Sequence, residues 1–149
     1  MMLCDDAISC KGPLLVSGTF MIMYYCFLFG QALTKLFLYH FTDVAPKKDG
    51  KKVGYGRFKY EFKGAIGICL DRTAGNTLEQ AIPFLLGLWL HAWYVNPLQA
   101  EFLGWWYLAA RSIYPLAFYM GLPWLLVSTV PGYAIIFKLW FDIYMATLE

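Results

Sequence analysis

The chain has 149 residues, 60% of them hydrophobic, 19% aromatic and only 15% charged. Soluble domains carry about a quarter charged residues, so the apolar excess needs either a large core or lipid. The length suits one domain, and the formal net charge of +2 points to no nucleic-acid partner.

The first apolar run settles that choice. Pro13 to Leu33 is 21 residues without a charge. About 20 such residues in a helix cross the hydrocarbon core. A secretory signal peptide would need a basic start, a shorter apolar core and a small-residue cleavage site. Here Asp5 and Asp6 precede the run, with only Lys11, and Phe37, Leu38 and Tyr39 follow Lys35. A retained transmembrane helix is expected over about 13–38.

A polar loop follows, from Thr42 to Lys63. It holds Lys47, Lys48, Lys51, Lys52, Arg57, Lys59 and Lys63 against Asp43, Asp49 and Glu61. Loops rich in Lys and Arg stay on the cytosolic side, or its organellar equivalent, the matrix or stroma. Both termini then lie on the opposite side. The same charges would also serve anionic lipid headgroups or an acidic partner. Gly54 and Gly56 lack the strand-then-helix context of a phosphate-binding loop.

Further spans are expected over about 66–95, 98–120 and 122–145. Asn96-Pro97 and Met120 to Pro123 are the short breaks between them. Short connections make neighbours antiparallel, so the expected fold class is all-α, an integral membrane four-helix up-down bundle forming a single domain over 1–149. Trp89, Trp93, Tyr94, Trp105, Trp106, Tyr107, Tyr114, Tyr119 and Trp124 crowd toward helix ends, as in an interfacial aromatic belt. Pro131-Gly132 predicts a kink in the last span. Cys4, Cys10, Cys26 and Cys69 show no metal-type spacing. His40 and His91 stand alone, so no metal site is expected.

Polar residues inside the spans are the candidates for function. Arg72, Asn76 and Glu79 fall at i, i+4 and i+7, one helical face, since each residue turns about 100°. Arg111, Tyr114 and Phe118 likewise share a face. Charges within a span turn to the bundle interior or a polar cavity and find partners. Glu79 with Arg111 or Arg72, bridged by Asn76, is the simplest pairing. That set would either hold the bundle together or line a pocket for a polar, charged ligand.

The pattern Arg72-x-x-x-Asn76-Thr77-Leu78-Glu79, Pro83-Phe84-Leu85, Asn96-Pro97 and Arg111-x-x-Tyr114-x-x-x-x-Tyr119-x-Gly121 resembles the MAPEG family, the membrane-associated proteins in eicosanoid and glutathione metabolism. The likeness is nearest to type-3 microsomal glutathione transferases, and covers Cys69 to Gly121 most clearly. It implies a four-helix membrane bundle assembling as a homotrimer, with glutathione between subunits near the cytosolic interface. It also implies that Arg72, Asn76 and Glu79 hold the charged ends of the peptide, with Arg111 and Tyr114 as further pocket positions.

The chain departs from the family pattern at the thiol. Phe118 stands where the synthases have a tyrosine, and Val127 where they have the thiolate-stabilising arginine. Gly75 replaces an arginine or glutamine, and near Leu33, where a late span-one arginine belongs, only Lys35 is close. A free thiol is only a few per cent ionised at neutral pH, and a nearby cation lowers its pKa; valine cannot do this. The resemblance therefore implies a degraded glutathione site with no catalytic residue, in a structural or accessory subunit of an endoplasmic reticulum or organelle inner membrane. The alternative is an active glutathione-dependent transferase or peroxidase on apolar electrophiles or lipid hydroperoxides. A third reading is an unrelated four-span transporter accessory or lipid-binding subunit.

Overall fold

The computed structural model describes residues 10–48, 50–62 and 64–148. Cys4, Asp5, Asp6, Asp49 and Lys63 lie outside them. The helices are α1 (Lys11–Phe41), α2 (Tyr55–Glu61), α3 (Ala65–Tyr94), α4 (Pro97–Ser112), α5 (Tyr114–Met120) and α6 (Trp124–Ala146). A two-stranded hairpin, β1 (Lys47–Lys48) with β2 (Lys51–Lys52), lies between α1 and α2. By length and composition, α1 and α6 are apolar enough to cross a membrane. The 30-residue α3 is long enough, but it carries Asp71, Arg72 and Glu79.

Each boundary has a local cause. Asn96 caps α4: its Oδ1 accepts from the backbone N–H of Leu98 at 2.9 Å and of Gln99 at 3.1 Å. Pro97 then fills the first helical position, where no N–H is needed. The segment expected to run unbroken to Met120 divides at Ile113 into α4 and α5. Pro115 explains the division, because its ring clashes with the carbonyl four residues back and it offers no N–H. Gly121, at φ +77°, makes the turn into α6 that a side chain would strain.

α1 packs on α3 and α4, α6 packs on α3 and α4, and α3 touches α4. Lipid tails are as apolar as leucine, so such helices associate through close packing and interhelical hydrogen bonds. Both are present. Gly104 lies so near α1 that a Cβ there would stand 2.6 Å from Val16 Cγ1 and 3.1 Å from Leu88 Cδ1. Phe84 and Tyr107 stack at 3.8 Å between ring centroids, with Phe20 5.5 Å from Phe84. Tyr107 donates to Gln80 Oε1 at 3.1 Å, Ser128 to the Ala110 carbonyl at 2.6 Å, and Trp89 to Ser17 at 3.1 Å.

Most of the expected aromatic belt is exposed, including Tyr94, Trp106, Tyr119 and Trp124. Tyr107 and Tyr114 depart from it and are buried. Each finds a side-chain partner for its hydroxyl, Gln80 and Asn76 respectively, which is what lets a phenol leave the water interface.

Candidate functional site

The residues expected to act together sit where α3 begins and α4 ends. Arg111 occupies the last turn of α4 and is 1% exposed. Its guanidinium carbon lies 4.6 Å from the centroid of the Tyr114 ring, a cation–π arrangement. Tyr114 is buried, and its hydroxyl accepts from Asn76 Nδ2 on α3. The chain thus links a buried cation, through a ring and its hydroxyl, to a half-buried amide.

Arg72 and Glu79 are not drawn into that chain. Both are exposed, and neither forms an ion pair among the described residues. The cause is helical register. The inward stripe of α3 is Thr73, Thr77, Gln80 and Phe84. Thr73, Thr77 and Gln80 each follow one residue after Arg72, Asn76 and Glu79, so the polar face lies about 100° of helix away from the packed one. It looks outward, with Asn76 at the seam. The expected pairing of Glu79 with Arg111 or Arg72 is therefore absent. Glu79 stays within electrostatic range of Arg111 along with Tyr107, Tyr114 and Tyr133.

Arg111 is left in an unusual position. Its Nε, Nη1 and Nη2 are all buried without a hydrogen-bond partner among the described residues. A buried charge is costly unless paired, and inside a membrane protein it usually marks a ligand or relay position. An anionic group would satisfy the guanidinium.

The departures from the family pattern also have places. Val127 is exposed on α6, while Ser128 turns inward to Ala110. No residue from Trp124 to Val130 is a cation. Phe118 lines a cavity of about 500 Å³ with Ala65, Ile68, Cys69 and Tyr119. None of Arg72, Asn76, Glu79, Arg111 or Tyr114 lines it. At Gly75 a Cβ would meet nothing within 4 Å, so the small residue there is not required by packing.

Two polar clusters were not foreseen. Lys35, 3% exposed, reaches from α1 to Asp71 on α3, at 2.7 Å from Oδ1 and 2.9 Å from Oδ2. Gln31 also donates to Asp71, and Lys35 donates to the Lys59 carbonyl at 2.8 Å. The cation nearest to the family's late span-one arginine is thus held by this chain's own carboxylate. At the other end of the helices, the buried His91 lies 3.3 Å from Asp142 Oδ2 and 3.3 Å from the Asn96 carbonyl. Lys138 pairs with Asp142 at 2.6 Å. The signal for both clusters was opposite charge at corresponding ends of antiparallel or parallel helices. His91 stands alone only in sequence.

No cation stands on the turn of α6 that carries Val127. Residues 20–145 match the model of the MAPEG family. No curated protein and no solved structure matches the chain.

Proposed function

The chain belongs to the MAPEG family, and from that premise we propose that it is a membrane protein with a degraded glutathione site, serving as a structural or accessory subunit of a membrane assembly. Its long helices are read as four spans in an up-down bundle, with loop 42–63 on the cytosolic, matrix or stromal face. The membrane is the endoplasmic reticulum membrane or an organelle inner membrane. The assembly is a homotrimer or a larger complex, and the basic loop offers charge to anionic lipid or an acidic partner.

Val127 carries this reading. It faces outward, where the family's thiolate-stabilising arginine belongs, and Ser128 beside it is committed to a backbone carbonyl. Lys35, the nearest substitute from α1, is held by Asp71. Glutathione bound here would keep its thiol protonated, because the turn of α6 that carries Val127 offers no cation to lower the cost of the anion.

One observation favours the second reading, an active transferase or peroxidase. The unpartnered guanidinium of Arg111 is suited to a carboxylate, and the outward face of Arg72, Asn76 and Glu79 is open to a second copy of the chain. The test is conjugation of glutathione to a small aromatic electrophile by the purified protein in lipid. No turnover above the protein-free rate supports the accessory reading. Turnover that disappears in Arg111→Ala establishes the enzyme instead.

A further inference from the structure

The hairpin between α1 and α2 carries four lysines in an arrangement that is unfavourable by itself. Its register sets Lys47 opposite Lys52 and Lys48 opposite Lys51. All four are exposed. Like charges directly opposite across a ladder destabilise it, with Cβ atoms only about 5 Å apart. Asp43 relieves one end, with Oδ1 3.7 Å from Lys47 Nζ and 3.9 Å from Lys52 Nζ. Among the described residues no carboxylate pairs with Lys48 or Lys51. Arg57 and Glu61, the other charges of the segment, satisfy each other at 2.9 Å.

The lysines are nevertheless presented by a fixed base. Lys52 donates to the carbonyls of Thr42 at 3.1 Å and Tyr39 at 3.4 Å. Those contacts place a cation at the negative end of α1. The backbone N–H of Val53 reaches the Pro46 carbonyl at 3.0 Å, extending the ladder. Beneath it Ala45 and Phe58 are buried. Tyr39 of α1 packs on Tyr55 and Phe58 of α2, each at 5.4 Å between centroids. Lys52 is thus an anchor, and Lys48 and Lys51, which no carboxylate among the described residues pairs, are the ammonium groups available to a ligand.

We propose that this hairpin binds the headgroup of an anionic lipid carrying more than one phosphate, in the leaflet that surrounds the end of α1. Position favours a lipid over a protein. The hairpin leaves α1, a helix apolar enough to cross a membrane, within a few residues. Phe41 and Val44 at its root are exposed and apolar, suited to the boundary between headgroups and chains. Lysines close to an anionic leaflet each gain attraction, and as point charges they suit phosphate without a fixed fork geometry. Phosphate between the cross-strand pairs would turn the repulsion into a stabilising contact. This inference rests on the membrane reading above and is independent of whether glutathione binds.

The test uses the full-length protein in nanodiscs of zwitterionic lipid, without glutathione, titrated with a short-chain phosphatidylinositol bisphosphate. Parallel arms use free inositol trisphosphate and a polyglutamate peptide. Both faces of a nanodisc are accessible, so the result does not depend on which side the loop faces in a cell. Saturable lipid binding is expected, weakened about 30-fold in Lys48→Gln/Lys51→Gln, since each lysine is worth roughly fivefold. Lys11→Gln, at the opposite end of α1, should bind as the unaltered chain does. Equal lipid affinity in the double variant overturns the proposal. So does free headgroup or polyglutamate binding as tightly as the lipid.

Discussion

Lys35 on α1 and Asp71 on α3 form an ion pair at 2.7 Å in which the lysine side chain is 4% exposed and the aspartate 41%. The two partners are therefore not equivalent. Removing the carboxylate strands a buried ammonium, while removing the lysine leaves a carboxylate that water can reach. Asp71→Asn should cost about 2–3 kcal/mol, less than a fully buried pair because of the exposed partner. Lys35→Met should cost less than Asp71→Asn. Thermal unfolding of the detergent-solubilised variants ranks them, and the opposite order would mean that the pair is not buried as described.

Glu79 gives the contrary expectation. It is exposed and has no ion pair among the described residues. Substitutions away from buried networks stay within about 0.5 kcal/mol. Glu79→Gln should therefore express and melt as the unaltered protein does. Poor expression would show that Glu79 has a structural partner, in this chain or a neighbouring copy.

Two glycines separate open space from close approach. At Gly75 a Cβ meets nothing, so Gly75→Ala should stabilise by about 0.5–1 kcal/mol, as in any open helix interior. At Gly104 a Cβ would stand 2.6 Å from Val16. Gly104→Ala should destabilise by roughly 1–3 kcal/mol, the usual cost of overpacking. Melting temperatures that move the same way in both variants would contradict the α1–α4 packing.

The long apolar runs located α1 and α6 within a few residues, because length and hydropathy alone define such helices. The break at Ile113 is not specified by Pro115 alone, since an X-Pro step within an apolar run can either kink a helix or end it. The face shared by Arg72, Asn76 and Glu79 was legible, but its direction was not. Helical periodicity shows which residues lie together, not which way they point. Thr73, Thr77 and Gln80 hold the inward stripe, and threonine and glutamine, like asparagine, are residue types found mostly at the surface, so type alone does not mark them as buried. Pairs such as His91 with Asp142, 51 residues apart, depend on which helices become neighbours.

Arg111 allows its ligand to be sought through stability alone. Its guanidinium is buried against the Tyr114 ring with no hydrogen-bond partner among the described residues, so it burdens the unliganded protein. Replacing an uncompensated buried charge with an apolar side chain of similar length is neutral or stabilising. Arg111→Met should therefore melt at or above the temperature of the unaltered protein. Added glutathione should raise the melting temperature of the unaltered chain only, since a ligand stabilises the state it binds. A lower melting temperature for Arg111→Met without glutathione would mean that the contact with the Tyr114 ring outweighs the cost of burying the guanidinium.

Ultraviolet difference absorbance of the glutathione thiolate tests the central claim most directly, because it reads ionisation of the thiol whether or not turnover follows. The protein in lipid should show no thiolate signal on adding glutathione at neutral pH, and Val127→Arg should gain one. A thiolate band in the unaltered protein, lost in Arg111→Ala, would contradict the account and place thiol activation on α4.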